Sequence, residues 1–228
     1  MRTNNMNKHI KILAITAALF ITPHAGAAPL EAGGWYAGAG IGMTRHDMMS
    51  KGVADAAAVI CPGTASCTTF TDTGAVGFGL FGGFRANENL AFEIGFMDLG
   101  TYEGDIITAG GGTTLGVLYT AETEALSFSV VGFLPVTTNK NGAVIGKLGI
   151  ARWEVDLSAK AVVCSGGICG TGAASDSESG TSILAGIGYE HRFGRVGVRG
   201  IFEIIPKVGL DPYYDDVKRL SVNVTGYF

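Results

Sequence analysis

Large apolar residues occupy every second position in a series of short segments separated by turn residues. In residues 90–97, leucine, phenylalanine and isoleucine alternate with alanine, glycine, glutamate and methionine. This period of two is typical of β-strands, whose successive side chains point to opposite faces of a sheet. The pattern recurs at 75–85, 125–134, 144–151, 182–190, 196–204 and 219–228, and more weakly at Trp35–Thr44. The sequence therefore predicts eight strands.

The two faces of these strands differ in a way that favours a membrane barrel. One face is large and apolar with no charge in mid-segment, whereas the other is mostly glycine, serine, alanine and isolated charges. A soluble sandwich would have a polar outer face, and a soluble ligand-binding barrel would place its large apolar residues inside. A small, polar face suits the narrow interior of a barrel whose apolar face meets lipid. We therefore predict an all-β fold: an eight-stranded antiparallel up-and-down transmembrane β-barrel.

The connections between the predicted strands alternate between short and long. Short connections lie at 86–88, 137–141 and 194–195, and long ones at 45–72, 100–120, 156–180 and 206–216. This alternation predicts short periplasmic turns, four long extracellular loops and periplasmic N- and C-termini.

The tightest turn, Gly194-Arg195, also predicts a register. A two-residue hairpin loop at that point places Phe193 opposite Val196 and Glu190 opposite Arg199 on the inner face.

The first 27 residues have the features of an export signal. Arg2, Lys8 and Lys11 precede a short apolar stretch at 12–21, and the small residues at 25–27 suit a signal peptidase. We expect cleavage after Ala27, which leaves residues 28–228 as a single barrel domain. No segment of the mature chain reaches the roughly 18 apolar residues of a transmembrane helix. The net charge is −4 and there is no basic patch, so we expect no nucleic-acid partner.

Several stretches resemble the OmpA-like outer-membrane β-barrel family. The sequences that carry the resemblance are GWYAGAG at 34–40, GGFRANENLAFE at 82–93, GAVIGKLGIARW at 142–153, GIGYEHRF at 186–193 and LSVNVTGYF at 220–228. The resemblance implies a cell outer membrane location in a Gram-negative bacterium, with lipid and lipopolysaccharide around the barrel. It also implies insertion by the outer-membrane assembly machinery, for which the terminal Phe228 would be the signal. Some members add a periplasmic peptidoglycan-binding domain after the barrel; we expect none after Phe228, so the resemblance does not imply a direct wall-anchoring role.

Members of this family resemble one another in carrying charge networks across the lumen. At matching positions this chain has Glu93, Lys147, Glu190 and Arg199, with Glu203 and Arg219 higher up the lumen. Arg85 also falls on the inner face and is included in the predicted network. One hypothesis is a buried salt-bridge network that satisfies charges and fixes register. The other is a gate whose ion pairs exchange partners and open a small pore.

The four cysteines form two local pairs, Cys61 with Cys67 and Cys164 with Cys169, both within predicted surface loops. In an exported protein, an even count favours disulfides that each close a small loop. Cross-loop bonds, a metal site and free thiols are the alternatives.

Catalytic chemistry has little support in the sequence. Only His46 and His191 remain in the mature chain, and they are predicted at opposite ends of the barrel. We predict no catalytic residue, cofactor or metal, and a non-catalytic envelope protein with a structural or surface-loop interaction role, such as an adhesin. The alternatives are a narrow passive channel for small or hydrophobic solutes and, less favoured, a lipid A-modifying enzyme. A host or surface ligand would bind through the loops.

Overall fold

A computed structural model describes residues 34–61 and 66–228 of the chain. The predicted signal peptide, residues 1–27, lies outside this part. The described residues form one helix and nine strands. In chain order they are β1 Trp35–Arg45, α1 Met48–Ile60, β2 Ser66–Thr71, β3 Gly74–Arg85, β4 Leu90–Gly110, β5 Thr113–Pro135, β6 Gly142–Ser165, β7 Ile168–Phe193, β8 Val196–Leu210 and β9 Tyr213–Tyr227.

Eight of the strands form a closed antiparallel ring. Each pairs with the next along the chain, apart from β2, and β1 pairs with both β3 and β9. Within β1, Tyr36 lies opposite Gly83 on one side and Tyr227 on the other. The predicted eight-stranded barrel is confirmed. The remaining strand, β2, pairs with 104–109 of β4, beyond the part of β4 that pairs with β3.

The tight turn at Gly194-Arg195 has the predicted register. Gly194 has a φ of +65°, a conformation that glycine adopts without steric cost. Phe193 lies opposite Val196, and Glu190 lies opposite Arg199.

The outward face of the ring carries a continuous apolar belt. Its exposed side chains include Ile41, Met43, Val76, Ile94, Leu126, Phe128, Leu148, Ile150, Ile183, Ile187, Leu220, Val222 and Val224. On β6 the belt ends after Ile150, because the next outward-facing residues are Arg152, Glu154 and Asp156. No helix among the described residues is long and apolar enough to cross a membrane.

Three of the predicted long loops are wrong, because those stretches are mostly strand. β4 and β5 continue to a turn at Gly111-Gly112, β6 and β7 to a turn at Gly166-Gly167, and β8 and β9 to a turn at residues 211–212. A spanning strand needs about 9–11 residues, whereas β6 has 24. We call the end of the barrel with these extensions the hairpin end, and the end with the turns at 86–89, 136–141 and 194–195 the turn end.

Beyond the belt, four of the extended strands continue as one sheet. Gly100 of β4 pairs with Thr123 of β5, Thr123 with Val155 of β6, and Val155 with Glu178 of β7. With β2 added to β4, these stretches form what we call the projecting sheet: residues 66–71, 100–110, 113–123, 155–165 and 168–178.

Helix α1 occupies the remaining long connection. Its 13 residues include four alanines, the residue with the highest helix propensity. Its buried residues, Met48, Met49 and Val53, pack on the apolar interior of the hairpin end. The helix ends at Ile60, and the N–H of the C-cap residue Cys61 donates to the carbonyl oxygen of Ala57.

Candidate functional site

Arg199 is the centre of a charged layer across the lumen. Its Nη1 lies 2.5 Å from Oε1 of Glu93, and its Nε and Nη2 both lie 2.9 Å from Oε2 of Glu190. All three side chains are at most 2% exposed. Glu190 and Arg199 are cross-strand partners on the adjacent strands β7 and β8, whereas Glu93 lies on β4, so the Glu93–Arg199 ion pair joins opposite sides of the ring.

A second group continues the same layer toward the hairpin end. Nζ of Lys147 lies 2.9 Å from Oε1 of Glu203 and 3.6 Å from Oε2 of Glu93. Nη1 of Arg219 lies 3.0 Å from the other oxygen of Glu203. Lys147 thus links the two groups into one chain of ion pairs.

The six residues named above carry equal positive and negative charge, and a further buried cation, Arg192, lies at their margin with its Nε 3.9 Å from Oε1 of Glu190. Three carboxylates, Glu93, Glu190 and Glu203, face three cations, Lys147, Arg199 and Arg219. We call these six residues the charged layer. A buried charge is costly unless it is paired and hydrogen-bonded, and each member meets an opposite charge here.

Two phenols complete the hydrogen bonding of the carboxylates. The hydroxyl of Tyr36 donates to Oε1 of Glu93 over 2.8 Å, and that of Tyr227 donates to Oε1 of Glu190. Glycine makes room for the first phenol, because a Cβ at Gly83 would lie 2.3 Å from Cζ of Tyr36. The inner-face glycine at position 83 is therefore needed to leave space for the Tyr36 ring.

Arg85, the seventh predicted network residue, lies apart from the charged layer. Its guanidinium sits 4.1 Å from the ring centroid of Phe133, and its Nη2 donates to the carbonyl oxygen of Glu88. It therefore belongs to the turn end, where Lys140 also forms an ion pair with Glu88 across two turns at 2.9 Å. The hydrogen bond from Lys140 and, to a lesser extent, its positive charge lower the pKa of Glu88.

Apolar side chains fill the lumen on both sides of the charged layer. Toward the turn end lie the buried residues Tyr36, Ala91, Val131, Phe133, Ala143, Ile145 and Tyr227, and Ile201 of the same cluster lies between Arg199 and Glu203. Toward the hairpin end lie Met97, Leu99, Tyr102, Ile106, Trp153, Leu184 and their neighbours. A cavity lined by charged-layer residues has a volume of about 20 Å³, which is room for about one water molecule. The lumen is therefore filled at three levels.

Helix α1 caps the hairpin end of this filled lumen. Nζ of Lys51 lies 3.2 Å from Oδ1 of Asp215, whose other oxygen accepts a 3.1 Å hydrogen bond from the backbone N–H of Asp47. Burial of Asp215 opposes ionisation, but the hydrogen bonds and Lys51 outweigh it and lower its pKa. The cap is thus attached to the β8–β9 hairpin by charge.

His46 lies inside the cap, just before α1. Its ring is 1% exposed, its Nε2 donates to the carbonyl oxygen of Val208 over 3.0 Å, and it packs edge-on against Tyr102. Burial is the largest influence and lowers the pKa of His46, although Asp215 and Asp47 act in the opposite direction. His191 lies toward the turn end beside Tyr189, so the two histidines occupy opposite ends as predicted.

The predicted local disulfides are confirmed. Cys61–Cys67 joins the end of α1 to β2, and Cys164–Cys169 joins β6 to β7 beside the turn at Gly166-Gly167. The cross-loop, metal and free-thiol alternatives therefore do not apply to these cysteines. Within residues 34–61 and 66–228, no three His, Cys, Asp or Glu side chains form a group that could hold a metal ion.

Sequence reasoning missed two parts of this interior. The helical cap was not predicted, although the alanines at 54 and 56–58 are a signal for it. The apolar filling of the hairpin end was also missed, although alternation continued from Lys147 places Trp153 on the inner face.

Comparison with known proteins agrees with this architecture. The model of the OmpA-like transmembrane domain matches residues 31–211. Among solved structures, the outer membrane protein OprG from Pseudomonas aeruginosa is 9% identical, with a TM-score of 0.50 over 87% of this chain and 97% of that one. The attachment invasion locus protein Ail of Yersinia pestis, in complex with the heparin analogue sucrose octasulfate, is 16% identical, with a TM-score of 0.43 over 86% and 99%. Neisserial surface protein A is 14% identical, with a TM-score of 0.41 over 85% and 97%. A search of curated proteins found no match.

Proposed function

The chain belongs to the OmpA-like transmembrane domain family of outer-membrane β-barrels, and we propose that it is a closed, non-catalytic barrel that acts through its surface. The observation that carries this proposal is the filled lumen. Two apolar layers and a balanced charged layer occupy the interior, and α1 covers one mouth. A passive conduit needs a continuous water path, and the cavity of about 20 Å³ beside the charged layer supplies none.

Conductance of the refolded protein in a planar bilayer tests this proposal. We expect no current steps above the empty bilayer, with a general porin as the positive control. Lys147→Met should leave the barrel equally closed if the charged layer is structural. Steps in the wild type, or steps that change strongly with this substitution, would favour a gated channel instead.

We further propose that the hairpin end faces outward and that both termini are periplasmic. Short turns and long extensions at opposite ends are the usual asymmetry of outer-membrane barrels, and support this orientation. An epitope inserted between Gly166 and Gly167 should be detected on intact cells, whereas one inserted at Asn139 should require permeabilised cells. The reverse result would overturn the orientation.

The projecting sheet is the surface that we propose for interaction with a host or surface ligand. On β7, residues 168–177 are exposed on both faces, so this ribbon contributes little to a core. Ser158 and Ser175 are cross-strand partners. Removing residues 159–174 and joining these two serines through two glycines should therefore keep the β6–β7 register in the rest of the hairpin. A second variant shortens the β4–β5 hairpin of the same sheet between its partners Ile107 and Gly116. Loss of cell-surface binding in the first variant, with heat-modifiable migration retained, would support this role. Unchanged binding in both variants would contradict it.

The proposed partners in the membrane follow from the outward face. The apolar belt would meet acyl chains, and the outward-facing Arg152 and Lys218 next to it would meet lipopolysaccharide phosphates. Phe228 would be read by the assembly machinery; its exposed ring lies beside β1, and its N–H donates to the carbonyl oxygen of Trp35.

A further inference from the structure

A groove lies beneath α1 at the hairpin end of the barrel. Its volume is about 390 Å³, within the roughly 300–1,000 Å³ range of small-molecule sites. The buried side chains of Val53 and Leu210 form its floor together with Leu157, and Tyr119 and Tyr213 form its walls. Val59 on its margin is 81% exposed. This is an apolar concavity of ligand size that the helical cap leaves open.

The groove lies beyond the apolar belt, in contact with water rather than acyl chains. On β6, Leu157 follows the outward-facing charges at Arg152, Glu154 and Asp156, and it points inward. A membrane lipid would have to leave the bilayer to reach it. The groove therefore favours a free small molecule over a membrane lipid.

A carboxylate at the rim gives the groove a preferred charge. Asp55 lines it, is exposed, and accepts a hydrogen bond from the Tyr213 hydroxyl, which raises the pKa of that phenol. The cation one turn earlier on α1, Lys51, is paired with Asp215. The charge presented by the groove is therefore negative.

We propose that this groove binds a small molecule with an apolar body and a single cationic group. The apolar body lies against Val53, Leu157 and Leu210, and the cation lies at the Asp55 carboxylate. Removing apolar surface from water drives binding, and the rim charge selects among ligands of similar shape. This site shares no lining residue with the cavity at the charged layer, so the proposal does not depend on whether the barrel conducts.

Three matched probes test the proposal: phenylbutylamine, phenylbutanol and phenylbutanoate. Each is titrated into the full mature protein in lipid nanodiscs, and the signal from empty nanodiscs is subtracted. We expect the amine to bind about three- to fivefold more tightly than the alcohol, because a partly exposed ion pair contributes modestly. The carboxylate should bind most weakly. Wild-type protein that binds no probe beyond the lipid background, up to the solubility limit, overturns the proposal.

Variants on one helix separate the groove from the rest of α1. A Cβ at Gly52 would meet only Cδ2 of Tyr213, at 3.9 Å, so Gly52→Leu can be accommodated and extends into the groove. It should weaken all three probes about tenfold or more by occupying their space. Ala54→Leu, at an exposed position on the opposite side of the helix, is the matched control and should leave binding unchanged.

Asp55→Asn tests the charge. It should abolish the preference for the amine over the alcohol while leaving alcohol binding within a factor of about two. Heat-modifiable migration verifies that each variant is folded. Equal binding to wild type and Gly52→Leu, or an amine preference that survives Asp55→Asn, would refute the assignment whatever the conductance shows.

Discussion

Replacing Arg199 with methionine should be among the most destabilising single changes in the lumen. Arg199 is 2% exposed and is the cation shared by Glu93 and Glu190. Its loss changes the charged layer from neutral to a net charge of −1, since three carboxylates then face two cations. Removing one partner of a buried ion pair costs about 3–5 kcal/mol.

The remaining partners limit that cost. Glu93 keeps Lys147 at 3.6 Å and the Tyr36 hydroxyl. Glu190 keeps the Tyr227 hydroxyl and Nε of Arg192 at 3.9 Å. We therefore expect a single loss of about 3–5 kcal/mol rather than twice that amount. Urea unfolding in lipid vesicles, followed by tryptophan fluorescence and heat-modifiable migration, measures it.

A double-mutant cycle separates charge from packing. Glu93→Gln combined with Arg199→Met restores neutrality, and should recover at least about 1 kcal/mol relative to Arg199→Met alone. The reasoning is refuted if Arg199→Met costs less than about 1 kcal/mol, the range of exposed ion pairs. It also fails if the two substitutions simply add, because then the carboxylate and the cation do not interact.

Three further predictions concern other parts of the barrel. Burial lowers the pKa of His46 from its usual 6.5, so the folded state favours the neutral ring. The cap should therefore lose stability as the pH falls below 6.5, which faster amide hydrogen exchange in α1 would show. His46→Gln should flatten this pH dependence. Gly83→Ala should lower the free energy of unfolding by about 1–3 kcal/mol, because the added Cβ displaces the Tyr36 ring. The control is Gly82→Ala: this neighbouring glycine faces outward and has room for a Cβ, so its replacement should be neutral. Equal costs for the two substitutions would contradict the packing argument. Phe228→Ala should lower the amount of barrel in the outer membrane while leaving the unfolding midpoint of refolded protein nearly unchanged, and normal membrane yield would count against an assembly signal.

Sequence alone predicts the membrane-spanning part of this fold because two solvents act on its strands. Lipid on one side and a narrow lumen on the other impose a strict alternation, so 90–97 and 196–204 are recognisable as strands, and the Gly194-Arg195 turn yields their register. Six of the inner-face charges could also be placed on one side of the barrel wall from this alternation. The sequence does not predict which of these charges form ion pairs, because Glu93 and Arg199 are 106 residues apart and come together only when the ring closes.

The alternation fades where the same strands leave the membrane. Residues 168–177 have water on both faces, so alanine, serine and glycine suffice on either side, and the strand resembles a loop in sequence. The alternation of side chains places Arg85 on the inner face, but it does not specify at which level along the barrel axis the side chain lies. Its position over Phe133 depends on how far each strand is shifted along its neighbour.

Pairing of β1 with β9 makes formation of the charged layer a late event. The phenols that hold Glu93 and Glu190 come from Tyr36 near the beginning of the barrel and Tyr227 near its end, and these two residues are direct cross-strand partners. Contacts between such distant parts of a chain form slowly, because a large loop must close first. A nascent barrel lacking β9 would hold Glu190 without the Tyr227 phenol and Glu203 without Arg219. The interior electrostatics therefore oppose a stable half-built barrel and favour all-or-none closure.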